Sequence, residues 1–355
     1  MPQSPSEAVF EWAQPQTLPG DAPIYMSERY QSLFAAQDAS EARLLLCRTG
    51  NQVAWLPLLV RKVGDGIHEA YSAYGYGGLF GGLTLTDECV HGLRAFLYDA
   101  GIVALFLRHS PFLVNQLLVP SHLTRLNRIT YAATLQGKST FTDYLAGMPQ
   151  KLRWSANYAM RAGLTVAFHP LTEFKHDKIL AFYRQYTALM AAKGTSDYYR
   201  FSESFFLEHA RRLGNDCELA EVTDSEGQFL AGAFFLLDRS GWVHYHLSAA
   251  SKKSMKLQGM ELLMLSALHR YGQRGFTSLH LGGGHALDES DGLSRFKSKF
   301  ADRKLEFHCS AVVCDLDAYE RERNRLPLAH SSFFLISDAR GIPPTSKYVS
   351  FARPA

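Results

Sequence analysis

Neither a disulfide framework nor a structural zinc site is available to this sequence. Its five cysteines, Cys47, Cys89, Cys217, Cys309 and Cys314, are odd in number and no two form a C-x-x-C pair, which favours a reducing compartment. Cys309 and Cys314 alternate with apolar neighbours in FHCSAVVCDL, the pattern of strand-core thiols. Long hydrophobic runs are missing as well. The longest, such as FLAGAFFLL at 229–237, fall far short of the roughly 18 residues that a spanning helix needs. The opening stretch MPQSPSEAVFEWAQPQTLPGDAP has no basic n-region and no apolar h-region, so no secretory signal is read and a cytoplasmic location is expected. Charge of one sign is also absent: 37 Lys and Arg face 34 Asp and Glu, a net +3. That balance excludes a nucleic-acid coat protein and leaves room for local basic patches.

What is present is a globular mixture, 46% apolar and 20% charged over 355 residues, enough for about two domains. After a proline-bearing lead-in (1–26), RLLLCRTGNQVAWLPLL predicts two strands around the Thr49-Gly50-Asn51 turn. A helix capped by Thr86 or Asp87 follows, with Val90, Leu93, Phe96 and Leu97 on one face, then strands at 102–108 and 130–135. The second half predicts a helix over 149–163 between Pro149 and Gly163, a helix within 172–193, and another capped by Ser202. Strands at 217–223, 228–237 and 242–249 come next, then a helix at 258–274 and a strand at 277–281. A GGGH loop, a short helix near 290–299 and a strand pair at 305–315 complete the order. The halves share element order without residue identity. Two helices, an antiparallel strand run, a helix and a further strand is the order of the GNAT acyltransferase fold. The expectation is therefore an α/β protein with mixed sheets: two tandem GNAT-like domains at 27–148 and 149–320, and a tail at 321–355.

The densest pattern is LHLGGGHALDESDGLSRFKSKFADR (279–303). Three glycines after a strand end allow a tight bend or a close ligand approach, acids gather at Asp288, Glu289 and Asp291, and a helix then carries Arg295, Lys297 and Lys299. The segment reads as a ligand cleft or as a turn before a solvated amphipathic helix. GGGHALDESDGLSRFKSKFA resembles the C-terminal signature of the FemAB family, with Phe296 and Lys297 its specific part. AYSAYGYGGLFGG (70–82) resembles the Tyr- and Gly-rich segment of that family's first domain, and KLRWSANYAMRAGLTV (151–166) resembles the Arg-bearing link between its halves. FemAB proteins are non-ribosomal peptidyltransferases that attach amino acids from aminoacyl-tRNA to peptidoglycan precursors. The resemblance implies that Lys297 stabilises the oxyanion of acyl transfer and that Phe296 walls the pocket or meets a cationic amine. Asp288, His285 and His246 are candidate proton acceptors; Asp288 and Asp291 are equally suited to capping the helix.

A second basic site precedes the helix at 258, where Lys252, Lys253 and Lys256 lead into Gln258-Gly259, and a helix N-terminus beside lysines favours phosphate. GNAT enzymes that use acyl-CoA carry Q/R-x-x-G-x-G/A here. This chain has Lys256-Leu257-Gln258-Gly259-Met260-Glu261, and a carboxylate at Glu261 disfavours a pyrophosphate. Lys253, Lys256, Gly259, Arg295 and Lys299 are accordingly expected to bind the donor. Over 251–275 five basic residues face Glu261, and over 293–304 five face Asp302, so each stretch is net +4. Aminoacyl-tRNA is the expected donor, acyl-CoA the alternative, and neither needs a further cofactor or a metal. For the amine acceptor, a small molecule, peptide or saccharide, the candidates are Tyr74 and Tyr76 in a wall with Tyr71, Gly75, Gly77 and Gly78, and Arg108 and Arg153 as phosphate clamps. A catalytically idle binding protein of the same fold remains a third reading. The family's long helical hairpin is missing from 172–213, and the tail carries none of its motifs.

Overall fold

The computed structural model describes residues 8–135, 137, 140–172, 176–194, 199–284, 289–325 and 334–336. In chain order these form β1 (Val9–Ala13), α1 (Glu28–Gln37), β2 (Glu41–Thr49), β3 (Gln52–Gly64), β4 (Ile67–Tyr71), β5 (Phe80–Gly81), α2 (Asp87–Asp99), β6 (Ile102–Arg108) and β7 (Thr124–Thr134). Then come α3 (Phe141–Ala146), α4 (Gln150–Arg161), β8 (Thr165–Pro170), α5 (His176–Lys193), α6 (Glu203–Leu213), β9 (Cys217–Thr223), β10 (Phe229–Leu237) and β11 (Trp242–Ala250). The last are α7 (Lys252–Lys256), α8 (Gly259–Gln273), β12 (Ser278–Gly283), α9 (Gly292–Ser298), β13 (Arg303–Val313) and α10 (Leu316–Asn324). The chain divides into two compact units. The first holds the described residues up to Arg128 and from Glu306 onward, and the second those of Ile129–Thr195 and Tyr199–Leu305.

In the first unit β1, β2, β3 and β4 are antiparallel neighbours, β4 pairs with β6 in parallel, and β6 pairs antiparallel with β13. The β2–β3 turn forms as its sequence predicts, Gly50 taking the left-handed φ of +55° that two-residue hairpins demand. Helix α2 starts at the Thr86 cap, whose hydroxyl accepts from the Cys89 amide. Its buried Val90, Leu93 and Leu97 pack in one core with Leu45, Leu56 and Leu58 of β2 and β3, each such side chain contributing about 1.5–3 kcal/mol on burial.

In the second unit β7, β12, β11, β10, β9 and β8 follow one another, all antiparallel except β11 with β12. Helix α8 is buried almost all round. Leu262, Leu263, Met264, Leu265 and Leu268 share a core with Phe235, Leu279 and Leu281. Helices α5 and α6 cover the opposite face, where Phe182 and Phe206 pack on Phe234. Adjacent β10 residues thus serve opposite faces, the period of two that a doubly covered sheet requires. Ser202 caps α6 as expected.

Three expectations change. The strand pair expected at 305–315 is one strand, β13, because its FHCSAVV run holds no turn residue. The lead-in contains β1, paired with β2. Lys252, Lys253 and Lys256, expected only to lead into the helix at 258, form a helix of their own, α7, capped by Ser251, whose hydroxyl accepts from the Ser254 amide.

Candidate functional site

The second unit's parallel pair stays together only briefly. Trp242, Val243 and His244 of β11 lie opposite Ser278, Leu279 and His280 of β12, and beyond them the described residues show no further pairing of the two strands. β11 runs on to Ala250 and β12 to Gly283. β12 is irregular between His280 and Gly282 where it meets β7, and Gly282 has φ +71°, a conformation that costs glycine little. Two strands that part inside a sheet leave main-chain polar groups to be satisfied by something else.

Lys297 lies at this opening. Asp291 caps α9 with its carboxylate, accepting from the Leu293 and Ser294 amides at 2.9 and 3.1 Å and from the Ser294 hydroxyl at 2.7 Å. That fixes the helix so that Lys297 points inward, 7% exposed, with Nζ donating to the Gly283 carbonyl at 2.7 Å and lying 5.9 Å from the centre of the Tyr245 ring. A β-carbon on Gly284 would overlap Ser294 and Asp291, so only glycine lets the loop approach the cap this closely. Phe296 packs at the edge of the core against Phe300. Arg295, on the outer side, donates to the Ser290 carbonyl at 2.5 Å. Glu289 accepts from Tyr131 at 2.8 Å and from Lys304 at 2.6 Å, both of which hold its pKa below the ordinary carboxylate value. His285 and Asp288 lie outside the described residues.

His246 is on β11 next to Tyr245 and therefore on the other face. It is partly exposed, whereas His244, two residues earlier on the same face, is fully buried. Its Nε2 lies 3.4 Å from Nε2 of His209 on α6, and Nδ1 of His209 lies 2.9 Å from the Phe205 carbonyl. A carbonyl only accepts, so the His209 proton is on Nδ1 and its Nε2 carries a lone pair. His246 must then donate from Nε2, which leaves its own lone pair on Nδ1. Burial lowers the pKa of both rings, that of His209 to about 4, with His209 and His244 adding to the depression at His246. Both imidazoles are neutral near pH 7. His246 and Lys297 thus flank β11 from opposite faces, at the level where its described pairing with β12 has ended.

The second basic site is built on α8. Gln258 precedes the helix at φ +61° with no side-chain cap, and Ser155 of α4 donates to its carbonyl oxygen at 3.2 Å. Gly259 is required because a β-carbon would overlap the Ser254 hydroxyl. Lys253 is engaged with Asp224 at 2.7 Å, and Lys256 is exposed without a partner among the described residues. Glu261, in the first turn, is paired with Lys299 at 3.0 Å. Two donor-site lysines are thus committed to carboxylates, and the Glu261 charge is compensated.

The acceptor candidates are divided. Tyr74, Tyr76 and Arg108 belong to the first unit and Arg153 to the second. Arg108 is buried, its Nη1 donating to the carbonyls of Ser72 and Ala73 at 2.6 and 3.1 Å. Tyr76 is enclosed edge-on by Tyr25, Phe112 and Phe307, and Tyr74 stacks on Phe34. Arg153 donates to the Ala146 carbonyl at 3.1 Å. Sequence reasoning missed Tyr245 and His209. The alternating WVHYH run hinted at the first, but His209 carries no local mark. Among the described residues no cluster of His, Cys, Asp and Glu has metal-binding geometry, and no helix is long and apolar enough to cross a membrane.

Residues 150–298 match the family model of the acetyltransferase (GNAT) domain. No curated protein sequence matches the chain significantly. Among solved structures the chain is similar to FemX, at 12% identity and a TM-score of 0.64 over 88% of this chain and 99% of that one. It also resembles a tandem GNAT protein from the clavulanic acid biosynthesis pathway, at 11% identity and a TM-score of 0.49 over 87% and 99% of the two chains. A third neighbour is the C-terminal domain of a putative lysylphosphatidylglycerol synthetase from Agrobacterium fabrum, at 16% identity and a TM-score of 0.47 over 72% and 80%. Residues 150–298, within the second unit, thus match the GNAT acetyltransferase domain family, and the chain is similar in fold to FemX.

Proposed function

We propose that the chain transfers an aminoacyl group from aminoacyl-tRNA to an amine, at the opening between β11 and β12. The observation that carries this reading is the buried Lys297 ammonium at that opening, beside the Gly283 carbonyl. The amine nitrogen attacks the acyl carbonyl carbon, and Lys297 stabilises the oxyanion that forms. The N–H proton passes to the Nδ1 lone pair of His246, whose Nε2–H bond to His209 stabilises the resulting imidazolium. The C–O ester bond then breaks, its electron pair leaves on the ribose oxygen, and that oxygen is protonated by the imidazolium. The donor enters as a co-substrate and no metal or prosthetic group takes part. The exposed lysines of α7 beside the uncapped start of α8 favour a phosphate-rich donor.

Acyl-CoA is the second reading, and the Glu261–Lys299 pair favours it because the charge that would repel a pyrophosphate is compensated. Incubating an amine pool with charged tRNA or with acyl-CoA, with and without ribonuclease, and following product mass separates the two. Ribonuclease-sensitive product supports the first reading; ribonuclease-insensitive, CoA-dependent product overturns it. His246→Gln is expected to lower kcat about 10²-fold or more.

A further inference from the structure

Four residues of α4 form a stripe that the acyl-transfer site does not use. Lys151, Trp154, Tyr158 and Arg161 stand at spacings of three, four and three, which places them along one helix face. The opposite face, with Leu152, Ala156 and Ala159, is buried in the core. Trp154 is 54% exposed, while Trp12, Trp55 and Trp242 are all largely covered. Its ring stacks on Tyr158 at 5.1 Å between centroids and 9° between planes, so two aromatic rings are already aligned as a platform. Lys151 and Arg161 are exposed at its two ends and have no carboxylate partner among the described residues.

The β9–β10 turn brings Asp224 to Lys253 of α7, and the two helices themselves are basic. Neither α4 nor α7 carries an acidic residue. The Ser155–Gln258 hydrogen bond joins α4 to the turn that closes α7, the helix that carries exposed Lys252 and Lys256. A membrane-surface helix needs a broad apolar face, whereas this stripe is two rings wide and bounded by cations. Aromatic rings interleaved with backbone-tracking cations match single-stranded nucleic acid, whose bases stack and whose phosphates pair.

We infer that the Lys151–Trp154–Tyr158–Arg161 stripe of α4 docks the single-stranded 3′ end of an RNA by base stacking. The inference deepens the aminoacyl-tRNA reading and rests on it: an RNA held here is bound to the unit that carries Lys297. Fluorescence anisotropy of a labelled single-stranded RNA ending in CCA, with the full chain, tests it. Trp154→Ala should weaken binding about tenfold, the loss expected for one stacked base, and Trp154→Phe should restore most of it. Lys151→Gln with Arg161→Gln should flatten the salt dependence by about 0.7 log units per lost phosphate contact. Circular dichroism checks that each variant is folded. Equal RNA affinity of wild type and folded Trp154→Ala overturns the inference, as does Trp154-dependent binding to anionic lipid vesicles without RNA binding. If RNA binds through Trp154 but charged tRNA yields no product, the donor reading fails and the docking surface stands. If charged tRNA yields product and Trp154→Ala binds it normally, the docking surface fails alone.

Discussion

Among the described residues each unit contains one parallel strand pair, and the two pairs end differently. In the first unit β4 and β6 stay joined past their last register pair, Tyr71 with Phe106. The Ser72 amide continues to the Phe106 carbonyl at 3.0 Å, the Arg108 amide bonds the Ser72 hydroxyl at 3.1 Å, and the Gly77 amide reaches the Arg108 carbonyl at 2.7 Å. The Arg108 guanidinium then clamps the carbonyls of Ser72 and Ala73. In the second unit β11 and β12 show three pairs among the described residues, and the cation nearby, Lys297, donates to the Gly283 carbonyl at the strand end. The helix that follows differs too. Helix α2 begins with a hydroxyl cap and acidic Asp87 and Glu88, whereas α8 begins uncapped behind three lysines. An acidic, capped helix start repels anions and an uncapped, basic one attracts them. The parallel pair is therefore bridged past its end in the first unit and parts in the second, where we propose the acyl transfer.

Replacing the two cations tests this division most severely. Lys297→Met should lower kcat by about 10²–10³ with little change in KM, the loss seen when an oxyanion-stabilising donor is removed. Its thermal midpoint should fall only slightly, because a methionine fills a similar volume and the Gly283 carbonyl that loses the ammonium is partly exposed to water. Arg108→Met should do the reverse. Two buried carbonyls lose their donor, at a cost of about 2–4 kcal/mol in stability, while kcat per folded molecule stays near the wild-type value. If Arg108→Met abolishes turnover in protein shown to be folded, the first unit is not merely structural and the comparison breaks.

Acid should separate the units as well. His209, with a pKa of about 4, and His246 and His280, both well below the ordinary 6.5, are neutral in the folded second unit, while among the described residues the first unit has one such ring, His109, near 3. A depressed histidine pKa means that the unfolded chain binds more protons than the folded one below about pH 6.5, so stability falls as the pH drops from there toward the folded pKa. For His209 alone the loss at pH 5 is on the order of 2 kcal/mol. Hydrogen-exchange protection, corrected for the intrinsic rate, should decline faster between pH 6.5 and 5 in β9–β11 than in β2–β3. An equal decline would mean that the histidine cluster does not distinguish the units.

Local signals made much of the scaffold legible. Gly50 in a two-residue turn, Ser202 and Thr86 before apolar faces, and Pro149 and Gly163 around α4 each act within a few residues, and their elements form as expected. Lys297 was legible as the inward residue of a short basic helix. What was not legible depends on distant partners. The strand beside β6 is β13, about two hundred residues later in the chain, and no residue of FHCSAVV records that choice. His209 meets His246 from a different helix, 37 residues away. The Lys252–Lys256 helix was missed because its cap, Ser251, directly follows a strand and its five residues are too few to show a period.

The smallest expected effect bears on what the second unit admits. Glu261 stands in the first turn of α8, where a carboxylate opposes an incoming phosphate, yet Lys299 at 3.0 Å already compensates it. Glu261→Gln removes the negative charge and releases Lys299 to the same helix end. Both changes favour an anion, and at a helix terminus such terms amount to about 0.3–1 kcal/mol. The KM for the phosphate-bearing donor should therefore fall by about two- to fivefold at low salt, with kcat unchanged and the gain fading as salt screens it. A rise in KM would mean that Glu261 serves to hold Lys299 against the donor. The pair would then be part of the second unit's donor-binding surface.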